Sequence, residues 1–323
     1  MPTNLFIRQS AHGSQLTAQA PPPPLRAVEH ICRMRGGSQP HLMRCSDGNY
    51  YVVKLQGNPQ GTRTLVNEFL GTRLAGRLGL PIAINHVVVV PEELIRYSEG
   101  MVFELPRGST PCKGGLCFGS RLPVDPRQGQ TTDLLSASLF SDLENIPDFC
   151  GMLVFDKWTC NTDGRQAVFF RKGKNLFHSA IMIDQGFCFN AGEWNFPDAP
   201  RRSLYFRPAV YEQVRGIESF EPWLTKLESE IGVQVLLDIA KTIPPEWYEF
   251  DLESLRRLLE QLDSRRGRVR ELLCSARRSS PNAFPNWREA NGIGEENNHT
   301  SKNCANVVTF SRSDHLEACR RHN

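Results

Sequence analysis

Glycine turns and β-prone runs dominate the first part of the chain, and helical spacing of apolar residues dominates the rest. Between Ala27 and Lys54, Gly36-Gly37-Ser38 and Ser46-Asp47-Gly48-Asn49 punctuate runs that end in Tyr50-Tyr51-Val52-Val53. Such alternation of turn formers with β-branched and aromatic residues predicts a small antiparallel sheet. From Thr62 to Leu78 the residues Leu65, Val66, Phe69, Leu70, Leu74 and Leu78 recur at helical spacing, and Gly79 and Pro81 stop the run. One helix should therefore pack on the sheet, with His86 to Val90 adding a further strand.

A Gly- and Pro-rich stretch from Pro106 to Gln130 separates this half from one in which helical periodicity prevails. Helices are predicted over Thr131–Leu143, Pro147–Cys160, Val210–Ile217, Glu221–Ile231, Val233–Thr242 and Leu252–Arg277. One interruption stands out. Ala167–Arg171 and Leu176–Ile183 are β-prone runs joined by Lys172-Gly173-Lys174-Asn175, a hairpin pattern that leads directly into Asp184. The expected organisation is a polar tail over 1–25, a β-rich unit with one helix over 26–105, a mainly helical unit over 106–277, and a poorly ordered tail over 278–323. No repeat of fixed period is present, which disfavours a solenoid or propeller.

Hydrophobic residues make up 40 % of the 323 positions, enough for a substantial core. Lys plus Arg number 38 against 35 Asp plus Glu, a formal charge of +3, so no dominant basic field favours nucleic acid. The basic run Arg265, Arg266, Arg268 and Arg270 shares a helix with Leu255, Leu258, Leu259 and Leu262 and reads as a solvated face. Apolar runs such as Val87–Val90 are far too short to span a bilayer, and the N-terminus has no apolar signal segment. A cytoplasmic location is expected. The ten cysteines lack the paired spacings of a zinc module and read as reduced thiols; Cys112 and Cys117 have no second close pair to complete a metal site.

Lys54 ends a strand, downstream of a glycine turn and upstream of a helix carrying Glu68. A lysine so placed can neutralise nucleotide phosphates, and a helix glutamate can hold it in position. Taken alone each feature has an ordinary explanation. A strand-end lysine can be a solvated edge residue, Glu68 falls outside the arc of Val66, Leu70 and Leu74, and Gly36-Gly37-Ser38 lacks the G-x-G-x-x-G form. The second half adds acids. On a helix, Asp156 points the way Phe149, Met152 and Leu153 point, so it is inward and needs a partner. Beyond the helix, Asn161-Thr162-Asp163-Gly164-Arg165-Gln166 forms a loop, followed by the hairpin and Asp184-Gln185-Gly186. Two acids bracketing a hairpin suit phosphoryl transfer, one handling the proton of the attacking hydroxyl and the other holding Mg²⁺. Asp156 with Asn161 also has the Asp-x-x-x-x-Asn spacing of that chemistry, but the loop position of Asp163 favours it as the proton-handling acid.

Gly36-Gly37-Ser38, Tyr51-Val52-Val53-Lys54, Asn67-Glu68-Phe69-Leu70-Gly71, Asn161-Thr162-Asp163-Gly164 and Ile183-Asp184-Gln185-Gly186 together resemble the HipA-like kinase family, in its variant lacking the full toxin architecture. The resemblance spans roughly residues 28 to 275. It implies an α+β, two-lobed protein-kinase-like fold, with a small β-rich N-lobe, a larger helical C-lobe and ATP between them. It further implies transfer of the γ-phosphate to a protein Ser or Thr, and it leaves room for an antitoxin-like partner. By matching position, Gly36, Gly37, Ser38, Lys54 and Glu68 would serve the nucleotide, Asp163 would be the catalytic acid, and Asp184 would bind Mg²⁺.

The family pattern has His two residues after the catalytic Asp and a metal-binding Asn five after it, whereas here Arg165 and Val168 stand there. Valine cannot ligate a metal. Gln166, Asn161 or water would have to fill the place, or a single Mg²⁺ would be bound, or transfer would be weak or lost, as in an ATP-binding pseudokinase. Ser38 matches only loosely the site of inhibitory phosphorylation found in some members.

Overall fold

A computed structural model of the chain describes residues 24–129, 131–171 and 177–288. In chain order, β1 (Leu25–Arg33), β2 (His41–Cys45) and β3 (Tyr50–Lys54) lead into α1 (Arg63–Arg77), β4 (Asn85–Val90) and α2 (Glu92–Tyr97). A hairpin of β5 (Val102–Leu105) and β6 (Gly108–Pro111) precedes β7 (Gly115–Arg121). Strands β1, β2, β3, β7 and β4 close into a barrel in that order. Inward residues of successive strands, among them Met43, Tyr51, Val53, Val88 and Cys117, fill its interior. The small antiparallel sheet expected from residues 27–54 is present as β1, β2 and β3, and β7 and β4 close it into a barrel with no exposed edge.

The closing strand lies inside the Gly- and Pro-rich stretch expected to separate the two halves. A Cβ on Gly119 would fall 2.4 Å from Val88 Cγ2, so glycine is what lets β7 approach β4, and it also hides the strand from a propensity reading. The boundary drawn at residues 105/106 therefore cuts through the barrel, which runs to Arg121.

In the second half, β8 (Thr131–Thr132), α3 (Asp148–Thr159), β9 (Gln166–Phe170) and β10 (Ser179–Ile183) precede α4 (Glu221–Glu230), α5 (Val233–Ala240), α6 (Leu252–Arg266) and α7 (Val269–Ser279). The predicted helix over Thr131–Leu143 is instead the short strand β8 paired to β9 and a 3-10 segment at Ala137–Asp142. Val210–Ile217 reduces to a 3-10 turn at Pro208–Tyr211. The single helix predicted over Leu252–Arg277 breaks at Gly267-Arg268 into α6 and α7. The hairpin is present as β9 and β10, its linker 172–175 lying outside the described residues. The segment after 278 is packed rather than loose as far as Trp287. Phe284 is 1 % exposed with its ring 5.1 Å from Tyr211, and Trp287 lies 5.9 Å from Phe220. Residues 1–23 and 289–323 of the two expected tails lie outside the described residues.

Helix α1 is buried nearly all round, because its apolar residues join the core of the helical half while barrel strands cover its other side. The eight cysteines among the described residues are free thiols. Among those residues no helix is long and apolar enough to cross a membrane. The run at 265–270 is neutralised internally: Arg266 pairs with Asp263 at 3.0 Å, Arg268 with Asp198 at 2.7 Å, Arg265 with Asp198 at 3.2 Å, and Arg270 with Glu221.

Candidate active site

Lys54 ends β3 with its side chain turned inward, and its Nζ donates to Glu68 Oε1 at 2.5 Å and to Asp184 Oδ1 at 3.0 Å. All three groups are largely buried, with side-chain exposures of 9 %, 3 % and 28 %. Burial by itself would discharge the lysine, but the carboxylates of Asp184 and Glu68 outweigh it and hold the ammonium above the ordinary lysine range. Glu68 lies off the apolar arc of α1, as its spacing predicts, yet it is not solvated. The sandwiched helix gives its polar side to the site instead of to water.

Strand β10 delivers Asp184 at φ +58, a left-handed conformation. Burial would raise this carboxyl, but the adjacent Lys54 ammonium and the nearby Arg165 outweigh it and hold the pKa at about 2. Its folded value thus lies below the ordinary carboxylate value of about 3.9. The stabilisation it contributes is complete above that ordinary value and is lost as pH falls through about 2. Thermal unfolding followed from pH 7 downward should therefore converge with that of Asp184→Asn near the acid end; parallel curves would contradict the pairing.

Two glycines let α1 meet the turn after Asp184. A Cβ on Gly186 would sit 2.9 Å from Thr64 Cγ2 and 3.3 Å from Glu68 Oε1, and one on Gly71 would sit 2.9 Å from Gln185 Cβ. Asn67, the residue before Glu68, staples the same turn. Its Nδ2 donates to the carbonyls of Gly186 and Ala191, both at 2.8 Å, and its Oδ1 accepts from Trp194 Nε1 at 2.9 Å.

Helix α3 brings the other acid. It ends at Cys160, whose left-handed φ of +51 turns the chain into the loop of Asp163. Asp163 is partly exposed. Gln166, first residue of β9, joins the two acids: its Nε2 lies 3.2 Å from Asp184 Oδ2 and 3.4 Å from Asp163 Oδ2. Lys54, Asp163 and Asp184 therefore converge on one place. Val168 faces Phe170 and Ile181 in a small side cluster. The amide that lies beside both acids is that of Gln166, three residues after Asp163. Asn161, the other residue considered for a metal, has both ends of its amide engaged: Nδ2 donates to Asp156 Oδ1 at 3.0 Å, and Oδ1 accepts from Asp163 N at 3.1 Å. It shapes the loop.

Asp156 finds the partner its inward placement demands. Arg165 donates to it through Nη2 at 2.5 Å and Nε at 2.8 Å, and both side chains are almost completely buried. The same guanidinium donates to Ile183 O at 2.6 Å and Gln185 Oε1 at 2.9 Å, the residues on either side of Asp184. Arg165 is thus two positions from one acid and bonded to both neighbours of the other. Sequence spacing marks it only as a departure from a family pattern, although the unpaired inward Asp156 signals that a cation must stand near.

The glycine turn stands at the Lys54 end of the barrel, because His41, which follows it, pairs with Val53. Gly36 adopts φ +138, and a Cβ on Gly37 would lie 2.4 Å from Gln60 Nε2, so the turn rests on the connection between β3 and α1. Ser38 is 3 % exposed and offers no free hydroxyl to the surface. Among the described residues, no hydrogen bond joins this turn to Lys54, Asp163 or Asp184.

A search among curated proteins gave no match. Among solved structures the chain is similar to a proinflammatory kinase, CtkA, of Helicobacter pylori, at 14 % identity and TM-score 0.50 over 77 % of this chain and 98 % of that one. That likeness concerns the fold. A Golgi casein kinase matches at 12 % identity and TM-score 0.46 over 78 % of this chain and 74 % of that one. A second structure of it, with Mn/ADP bound, matches at 12 % identity and TM-score 0.40 with the same coverage. The sequence profile of HipA-like kinases matches residues 28–275. Because that profile covers well over half of the chain, the chain belongs to the HipA-like kinase family.

Proposed function

We propose that the chain is an ATP- and Mg²⁺-dependent kinase that transfers the γ-phosphate to a Ser or Thr hydroxyl of a protein. The observation that carries this reading is the Lys54–Glu68 ion pair extended to Asp184, with Gln166 joining Asp184 to Asp163. Lys54, kept charged, faces the phosphates, and the backbone of Gly36, Gly37 and Ser38 closes over them. Asp163, on a loop and partly exposed, accepts the proton of the attacking hydroxyl.

The donor set fits Mg²⁺. It consists of carboxylate and amide oxygens, with Asp184 held ionised. Such an ion is held by one or two carboxylates together with substrate phosphates. Asp184 and Gln166 would hold it, the amide turning over to present Oε1 where it now donates. Once bound, Mg²⁺ would neutralise charge growing on the transferring phosphoryl oxygens.

A second reading, nucleotide binding without transfer, is favoured by one observation: the amide that joins the two acids is that of Gln166 rather than of an asparagine. Purified protein with ATP and Mg²⁺ separates the two. The kinase reading expects a rise in Tm together with labelled phosphate on the protein itself or on added protein. A rise in Tm with no transfer would select the second reading, and no rise would reject both.

A further inference from the structure

The segment that follows Trp194 crosses back beneath the Asp163 loop, and a buried lysine of α3 holds it there. Lys157 Nζ donates to three main-chain carbonyls of one short stretch: Arg202 O at 2.7 Å, Pro200 O at 3.0 Å and Ala199 O at 3.3 Å. An ammonium has three donors, and here all three are used on one strap. The side chain is 4 % exposed. No carboxylate lies within ion-pair distance of it among the described residues, since Asp156 is engaged by Arg165, and Asp198 by Arg265 and Arg268. Its hydrogen bonds therefore all go to peptide carbonyls.

The strap passes this restraint to the acid. Ser203, next after the caged carbonyls, is held at φ +70, a conformation that a serine adopts only under external restraint. Its Oγ donates to Asn161 O at 2.5 Å, and its N–H donates to Asp163 O at 3.0 Å. At the other end of the strap, Cys160 Sγ contacts Pro197 O at 3.1 Å, and Arg265 reaches Phe196 O at 3.2 Å while donating from Nε to Lys157 O at 2.9 Å.

We infer that Lys157 is a positioning residue for Asp163, acting through its carbonyl cage and Ser203, a role that rests on the kinase reading given above. It touches neither nucleotide nor acceptor. Lys54, Glu68 and Asp184 sit on other elements and bond to none of the strap. Loss of the cage should consequently lower turnover and leave nucleotide binding alone. A misplacement of about 1 Å at a reacting group is enough to cost on the order of 100-fold in rate.

The test compares Lys157→Met, Lys157→Arg and Ser203→Ala with wild type. Lys157→Met keeps the bulk and removes every donor; kcat should fall roughly 10- to 100-fold with the KM for ATP within about twofold. Hydrogen exchange should quicken at residues 199–203 and 161–164 together. Lys157→Arg, which restores donors, should recover most of both. An unchanged kcat and exchange rate in the methionine variant would overturn the inference, and so would equal losses in kcat and ATP affinity. If that variant does not fold, Ser203→Ala removes the Oγ bond to Asn161 O and keeps the N–H bond to Asp163 O; turnover should fall and exchange at 161–164 quicken, and wild-type values of both overturn the inference. Were wild type to transfer no phosphate, the kinase reading would fall by itself, while exchange at 161–164 would still decide whether the cage holds the loop.

Discussion

Asp163→Asn is expected to slow phosphate transfer by about 10²- to 10⁴-fold, the usual contribution of a positioned general base, while ATP with Mg²⁺ still raises the Tm. The separation follows from the geometry. Asp163 stands on the exposed side of the Gln166 bridge, and its contact with that amide is the longer of the two, 3.4 Å against 3.2 Å. Asparagine keeps the size and the bond from Gly164 N, at 2.8 Å in the wild type, but it cannot take a proton. Asp184→Asn should differ in kind. It removes one of the two acids that touch Lys54, and the one proposed to hold the metal, so transfer and the Mg²⁺-dependent part of ATP binding should fall together. Initial-rate assays beside thermal-shift titrations check both. Wild-type turnover in Asp163→Asn would move the proton-handling role elsewhere, and equal weakening of ATP binding in both variants would deny the division of labour.

Arg165→Met is expected to cost about 3–5 kcal/mol, the penalty of leaving a buried charge without its partner. Asp156 is 0 % exposed and would keep only the Asn161 amide. For a domain of this size that corresponds to a fall in Tm on the order of 10 °C. The double variant Asp156→Leu with Arg165→Met should recover much of the loss, because an apolar pair of similar volume needs no desolvation. Activity should not return with stability, since the bonds from Arg165 to Ile183 O and Gln185 Oε1 on either side of Asp184 stay broken. A single variant as stable as wild type, or a double variant with full turnover, would contradict the bridging role.

How much of this was legible beforehand differs from element to element. The strands around Lys54, helix α1, helix α3 and the hairpin before Asp184 follow from local periodicity, since each buries a face that its own residues define. Strand β7 does not, because its glycines serve a close approach between strands, and close approach is a tertiary fact. Glu68 shows the same limit. A helical wheel assumes one wet side, and α1 has none where it passes between the barrel and the helical half. The candidate site was readable as residue types in order, from Lys54 to Asp163 to Asp184. Its bridging groups were not. Gln166 stands between the two acids at the first position of β9, and Arg165 meets Asp156 nine residues back along the chain. Both are tertiary contacts, which spacing alone does not report.

A crystal structure with a non-hydrolysable ATP analogue and Mg²⁺ would place the nucleotide outright. The expected result is a triphosphate against Lys54, a metal ion on Asp184 and the Gln166 amide oxygen, and Asp163 facing the terminal phosphate. A nucleotide bound away from Lys54, or a metal ion touching neither Asp184 nor Gln166, would contradict it.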